Sequence, residues 1–147
     1  MDCAFFPYGL KTKEFLIKRS LYLIEYLSGY CDKIIIACNT LSLLIMPYVN
    51  KYYSNVFGVF ESLEPYINEK SIIIGSKKTI EFIGYDYSNI CIDGTKLIEC
   101  IQNNIDYNDI IKDINYKALG YDNIILACTH FMKLNTNDFI IKAIKNN

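Results

Sequence analysis

The chain has 147 residues, a formal net charge of −1, 52% hydrophobic and 21% charged residues, which describes one globular domain or a small two-lobed one. There is no basic excess for nucleic-acid phosphates, and polar residues break the longest apolar runs well short of a membrane span, so neither nucleic acid nor a membrane is expected as a partner. No Cys-x-x-Cys pair accompanies the six cysteines and the single His130, so no metal site is expected. With no export signal in view, free thiols and a cytoplasmic location follow.

In chain order, Thr12 to Leu27 carries apolar residues at helical spacing, capped by Thr12 and ended by Ser28-Gly29. A strand at 33–37 leads into a helix opening at Asn39-Thr40, which Pro47 should kink or shorten. A strand at 56–59, a short helix at 63–69, a strand at 71–75, a helix at 77–83 and a strand at 89–92 come next. Helices at 95–104 and 108–118, a strand at 123–127 and a last helix at 137–145 complete the pattern. This alternation predicts an α/β fold, a parallel sheet flanked by helices.

One segment occurs twice. Asp32-Lys-Ile-Ile-Ile-Ala-Cys38 and Asp122-Asn-Ile-Ile-Leu-Ala-Cys128 share five of seven residues. Each run is too short for a helix and reads as a buried parallel strand. Such a strand delivers its cysteine to the carboxyl edge of the sheet, where open α/β folds bind ligands. The 90-residue spacing suggests two pseudo-symmetric lobes, residues 1–60 with 120–147 as the first and 61–119 as the second. Asp32 and Asp122 fall in the turns before the strands. Cys3, Cys31 and Cys100 read as small buried hydrophobes.

Asn39-Thr40 and Thr129-His130 should each open a helix, whose amino terminus favours a carboxylate and lowers the pKa of a nearby thiol. Two thiols across one carboxylate suit racemisation without a cofactor: one thiolate removes a proton from carbon, the other thiol returns one to the opposite face.

The motifs resemble those of the glutamate racemase family, within the aspartate/glutamate racemase superfamily. Pro7-Tyr8-Gly9-Leu10-Lys11 is similar to the family's PYG-x-K segment, and Ala37-Cys38-Asn39-Thr40-Leu41-Ser42 to its ACNTAS-type turn. Gly75-Ser76-Lys77-Lys78-Thr79-Ile80 is similar to GTKATI, and Ala127-Cys128-Thr129-His130-Phe131 to GCTHY. The resemblance implies that Cys38 and Cys128 are the proton donor/acceptors and that no cofactor is needed. It implies substrate contacts at Tyr8, Gly9, Asn39, Thr40, Thr79, Thr129 and His130. Cys91–Glu99 resembles the family's ACPLFVPLVE, which makes Glu99 a carboxylate assisting Cys128 together with His130. The implied activity is conversion of L-glutamate to D-glutamate for peptidoglycan precursors, with a homodimer as a candidate assembly. The family's DSG-x-GG segment, with the acid that assists the first cysteine, has no counterpart here, so an amino-terminal strand is expected to be missing. An inactive homologue, or a racemase of aspartate or a related carboxylate, is the alternative.

Overall fold

The computed structural model describes residues 11–83 and 91–145. Helix α1 (Lys13–Ser28) starts where the Thr12 hydroxyl accepts the Phe15 N–H at 3.2 Å, and ends at Gly29. Strand β1 (Ile34–Ile36) follows, then α2 (Asn39–Val49), which carries Pro47 and ends soon after it. Strand β2 (Val56–Gly58) pairs in parallel with β1. Two short helical turns, Phe60–Ser62 and Glu64–Tyr66, stand where one helix over 63–69 is expected. Pro65, with no N–H to give, fits only the first turn of a helix and limits that segment.

The second sheet contains β3 (Ser71–Gly75), β4 (Cys91–Asp93), β5 (Asn123–Ala127) and β6 (Lys142–Lys145), in the order β4-β3-β5-β6 and all parallel. Helices α3 (Lys77–Ile83), α4 (Thr95–Asn103) and α5 (Asn108–Lys117) make the crossovers. The expected last helix at 137–145 is instead a short turn, Thr136–Asp138, followed by β6. A segment this short carries no decisive periodicity, and the open edge of β5 supplies backbone partners that a lone helix lacks.

The core follows strand alternation. Ile72, Ile74, Ile124 and Leu126 face α4 and α5 through Leu97, Ile101, Ile111 and Ile114. Ile73, Ile125 and Ala127 face the opposite way, onto Phe60, Leu63 and Ile83, with Leu43 of α2 against them. A separate cluster joins α1 and α2 to the small sheet through Ile24, Ile45, Val49, Ile34 and Val56.

The two copies of the repeat thus have different surroundings. From Ile124 to Ala127, β5 is buried throughout, between β3 and β6. Only one face of β1 is covered, and Ile35 is 67% exposed beside its partner Phe57. The reading of both copies as buried strands therefore holds for β5 alone, because among the described residues β1 has one neighbouring strand and helices on one side. Likewise β5 hydrogen-bonds to β3, so residues 123–127 lie in the sheet of the 61–119 segment rather than beside β1. Cys31 is exposed in the turn after α1, not buried; Cys100 is buried in α4. Among the described residues no helix is long and apolar enough to cross a membrane.

Candidate active site

Parallel pairing puts the carboxyl ends of β3, β4 and β5 on one edge, with Gly75 level with Asp93 and with Ala127. The next residue after β3 is Ser76 and the next after β5 is Cys128, so these two leave the sheet at the same height. In the small sheet, Ile36 is level with Gly58, and Cys38 follows at the mouth of α2. Both cysteines occupy the extended position just before a helical segment: Cys38 at φ −145° and Cys128 at φ −149°. α2 is a true helix, and the N–H groups of its first turn lie at this edge. Thr129–Lys133, by contrast, is a short turn, so the expected helix start at Thr129-His130 supplies little dipole.

The two turns are joined by hydroxyls. Thr40 Oγ1 lies 2.7 Å from Thr79 Oγ1 and 3.3 Å from Ser76 Oγ, and Ser76 Oγ lies 2.8 Å from Thr79 Oγ1. The Thr79 N–H also donates to Ser76 Oγ at 3.2 Å, which fixes the start of α3. Thr79 and Asn39 are buried, at 1% and 2% exposure. Below the same edge, Ser42 donates to the Ile36 carbonyl and accepts the Val59 N–H, at 3.1 and 3.0 Å, tying α2 to β1 and to the exit of β2. Lys78 donates through Nζ to the Lys11 carbonyl, at the border of the described residues. Tyr8 and Gly9 lie outside them.

Around Cys128 the chemistry is that of a thiol and an imidazole. Cys128 Sγ is 3.4 Å from His130 Nδ1, and His130 Nε2 is 2.8 Å from Nε2 of Gln102. Burial pushes the Cys128 thiol up to about 11; a hydrogen bond from the His130 backbone opposes this, and the charge of Cys38 adds to it. His130 is lowered, first by burial and then by the Lys133 ammonium, which keeps the ring neutral at physiological pH. Lys145 of β6 donates to the Met132 and Leu134 carbonyls at 3.2 and 3.0 Å and so holds the far end of the Cys128 turn.

The structure therefore brings together Cys38, Asn39, Thr40 and Thr79 at one side of the edge and Cys128, Thr129 and His130 at the other. Glu99 is exposed on α4, and the ring of His130 bonds Gln102, one turn further on. Gln102 and Ser76 were missed as site residues. The position of Ser76 directly after a strand could have revealed it; nothing in residue type marked Gln102. A site of this composition can hold an anion on N–H groups and hydroxyls while two sulfurs exchange protons with a bound carbon acid.

No family model matches the chain. A glutamate racemase of Buchnera aphidicola subsp. Schizaphis graminum is 33% identical over 159 residues, covering 89% of this chain and 60% of that protein. One from Aliivibrio fischeri strain MJ11 is 29% identical, covering 99% of this chain and 62% of that protein. The chain thus spans about three-fifths of the length of the curated relatives it matches. Among solved structures, the glutamate racemase of Campylobacter jejuni superposes with a TM-score of 0.74 at 26% identity, over 97% of this chain and 67% of the other. The Thermus thermophilus glutamate racemase bound to β-chloro-D-alanine has the same fold, at a TM-score of 0.79 and 21% identity over 98% of this chain and 62% of the other.

Proposed function

Because this chain is a relative of the glutamate racemases in sequence and in fold, we propose that it interconverts L- and D-glutamate without a cofactor, through Cys38 and Cys128. The N–H groups at the mouth of α2 and the hydroxyls of Thr40, Ser76 and Thr79 hold the α-carboxylate. One cysteine, as thiolate, takes the α-proton and becomes a thiol; the carbon keeps the electron pair, delocalised into the carboxylate. The other cysteine, as thiol, gives its proton to the opposite face and becomes the thiolate. No proton is gained or lost over the cycle, and the site is left ready for the reverse reaction. His130 hydrogen-bonds to Cys128 as its proton leaves and returns. The D-glutamate would supply peptidoglycan precursors in the cytoplasm.

The observation that carries this reading is the placement of two free cysteines directly after parallel strands, one of them against a histidine. Optical rotation tests it. L-Glutamate incubated with the full chain should lose its rotation completely and D-glutamate should do the same, while aspartate should change far more slowly. Rotation that persists at high protein concentration would refute turnover by this chain.

A second reading has one observation in its favour, the protonated state that burial imposes on Cys128. In it the hydroxyl cluster binds glutamate and no turnover follows. Calorimetric binding of glutamate with unchanged rotation would select that reading.

A further inference from the structure

The bond from Gln102 to the imidazole decides something that the cysteine pair alone does not. A neutral imidazole has one nitrogen that donates and one that accepts, and the partner of one nitrogen fixes the role of the other. An amide nitrogen can only donate. With the Gln102 amide nitrogen 2.8 Å from His130 Nε2, Nε2 must accept, and the single proton of the neutral ring sits on Nδ1. That nitrogen is the one 3.4 Å from the Cys128 sulfur.

We propose that Gln102 is a positioning residue: its amide selects the Nδ1–H tautomer of His130, so that the ring donates a hydrogen bond to Cys128 instead of accepting its proton. The consequence for the cysteine rests on the racemase reading given above; the state of the ring does not. A donor aimed at sulfur favours the thiolate over the thiol and acts with the backbone N–H of His130 against the effect of burial. A carboxylate in place of the amide would demand a proton on Nε2 and turn Nδ1 into an acceptor, reversing the relation to Cys128. Glu99, the acid expected at this place, is exposed on the same helix. The amide is thus a different solution from an acid–histidine pair, with the opposite ring polarity.

The remaining surroundings agree with a neutral ring. Lys133 is the charged neighbour that acts on His130, and it disfavours the doubly protonated form. Gln102 is exposed, so its bond competes with water and biases the tautomer without locking it. Losing a bond of this kind changes the ratio of the two tautomers by roughly three- to tenfold.

His130 is the only histidine, so ring ¹⁵N labelling of the full chain yields a single imidazole by NMR. At about pH 8, above the usual histidine range, the wild-type ring should show a protonated Nδ1 and an unprotonated Nε2. Gln102→Leu should lower the ratio of the Nδ1–H to the Nε2–H tautomer by the factor given above. Gln102→Glu should move the proton to Nε2, with amide dispersion elsewhere unchanged in both variants because the side chain lies on the surface. A wild-type ring protonated on Nε2, or a ring unmoved by either substitution, would overturn the proposal. In turnover, Gln102→Leu should slow the direction that uses Cys128 as base more than the reverse, with KM held. If the chain never turns over glutamate, the function reading fails and the ring spectrum still decides this one.

Discussion

Thr40 Oγ1 and Thr79 Oγ1 lie 2.7 Å apart, and this contact fastens the turn after β1 to the turn after β3. Among the described residues the small sheet and the large sheet share no strand pairing, and side chains link their carboxyl edges. The hydroxyl trio with Ser76 does so at the level where Cys38 leaves its strand.

Thr79→Val keeps the shape of this buried side chain and removes the hydroxyl, leaving Thr40 and Ser76 short of a partner. A cost of about 1–2 kcal/mol is expected in urea unfolding, together with weaker glutamate binding. Thr79→Ser keeps the hydroxyl and should retain both binding and most of the stability. Equal behaviour of the two variants would show that the hydroxyl contact has no part in the site.

The reactivity of Cys128 should depend steeply on pH. Its thiol is raised to about 11 from the ordinary 9.0, so near neutrality almost all of it is protonated. Only the thiolate reacts with iodoacetamide. Peptide mapping should therefore find carbamidomethylation of Cys128 rising about tenfold per pH unit, up to the raised pKa. The linkage has a definite sign: the protonated thiol is favoured in the folded state, so its contribution is intact below pH 9.0 and is lost as pH climbs toward about 11. A plateau in carbamidomethylation below pH 9 would contradict the effect assigned to burial.

Gly94 occupies a place with no room for a side chain. A Cβ there would come within 2.9 Å of both Ile74 Cγ2 and Phe131 Cζ, and 3.2 Å from the Gly75 carbonyl oxygen. Phe131 is fully buried and belongs to the turn that begins after Cys128. Gly94→Ala should cost about 1–3 kcal/mol through overpacking and should lower racemisation by displacing that turn. Gly120 offers the contrast: its φ of +91° makes alanine unfavourable, yet nothing lies within 4 Å. Gly120→Ala should reduce the melting temperature and leave the rate per folded molecule unchanged.

Residues 71–75 and 123–127 were legible as strands because branched residues buried on both faces have few alternatives to a central parallel strand. The small polar residues after Cys38 were legible as a helix start, and α2 does begin at Asn39, whereas those after Cys128 open only a short turn. Three features were hidden, for different reasons. Lys142–Lys145 is too short for a decisive periodicity and becomes a strand because β5 offers an edge, which is information outside the segment. The partner of β5 was misread because equal strands in a repeat do not say which sheet each joins. Gln102 is an ordinary surface residue type, and only the arrival of His130 from 28 positions away gives it a role.

The central claim is that Cys38 and Cys128 act on one carbon from opposite sides, and exchange of the α-hydrogen in deuterated water tests it most directly. L- and D-glutamate are incubated separately with the wild-type chain, Cys38→Ser and Cys128→Ser, and α-deuterium is followed by NMR. The wild type should exchange both enantiomers. Each variant should lose racemisation, and the residual exchange should favour one enantiomer in Cys38→Ser and the other in Cys128→Ser. Exchange of both enantiomers that survives either substitution unchanged would contradict the two-thiol account.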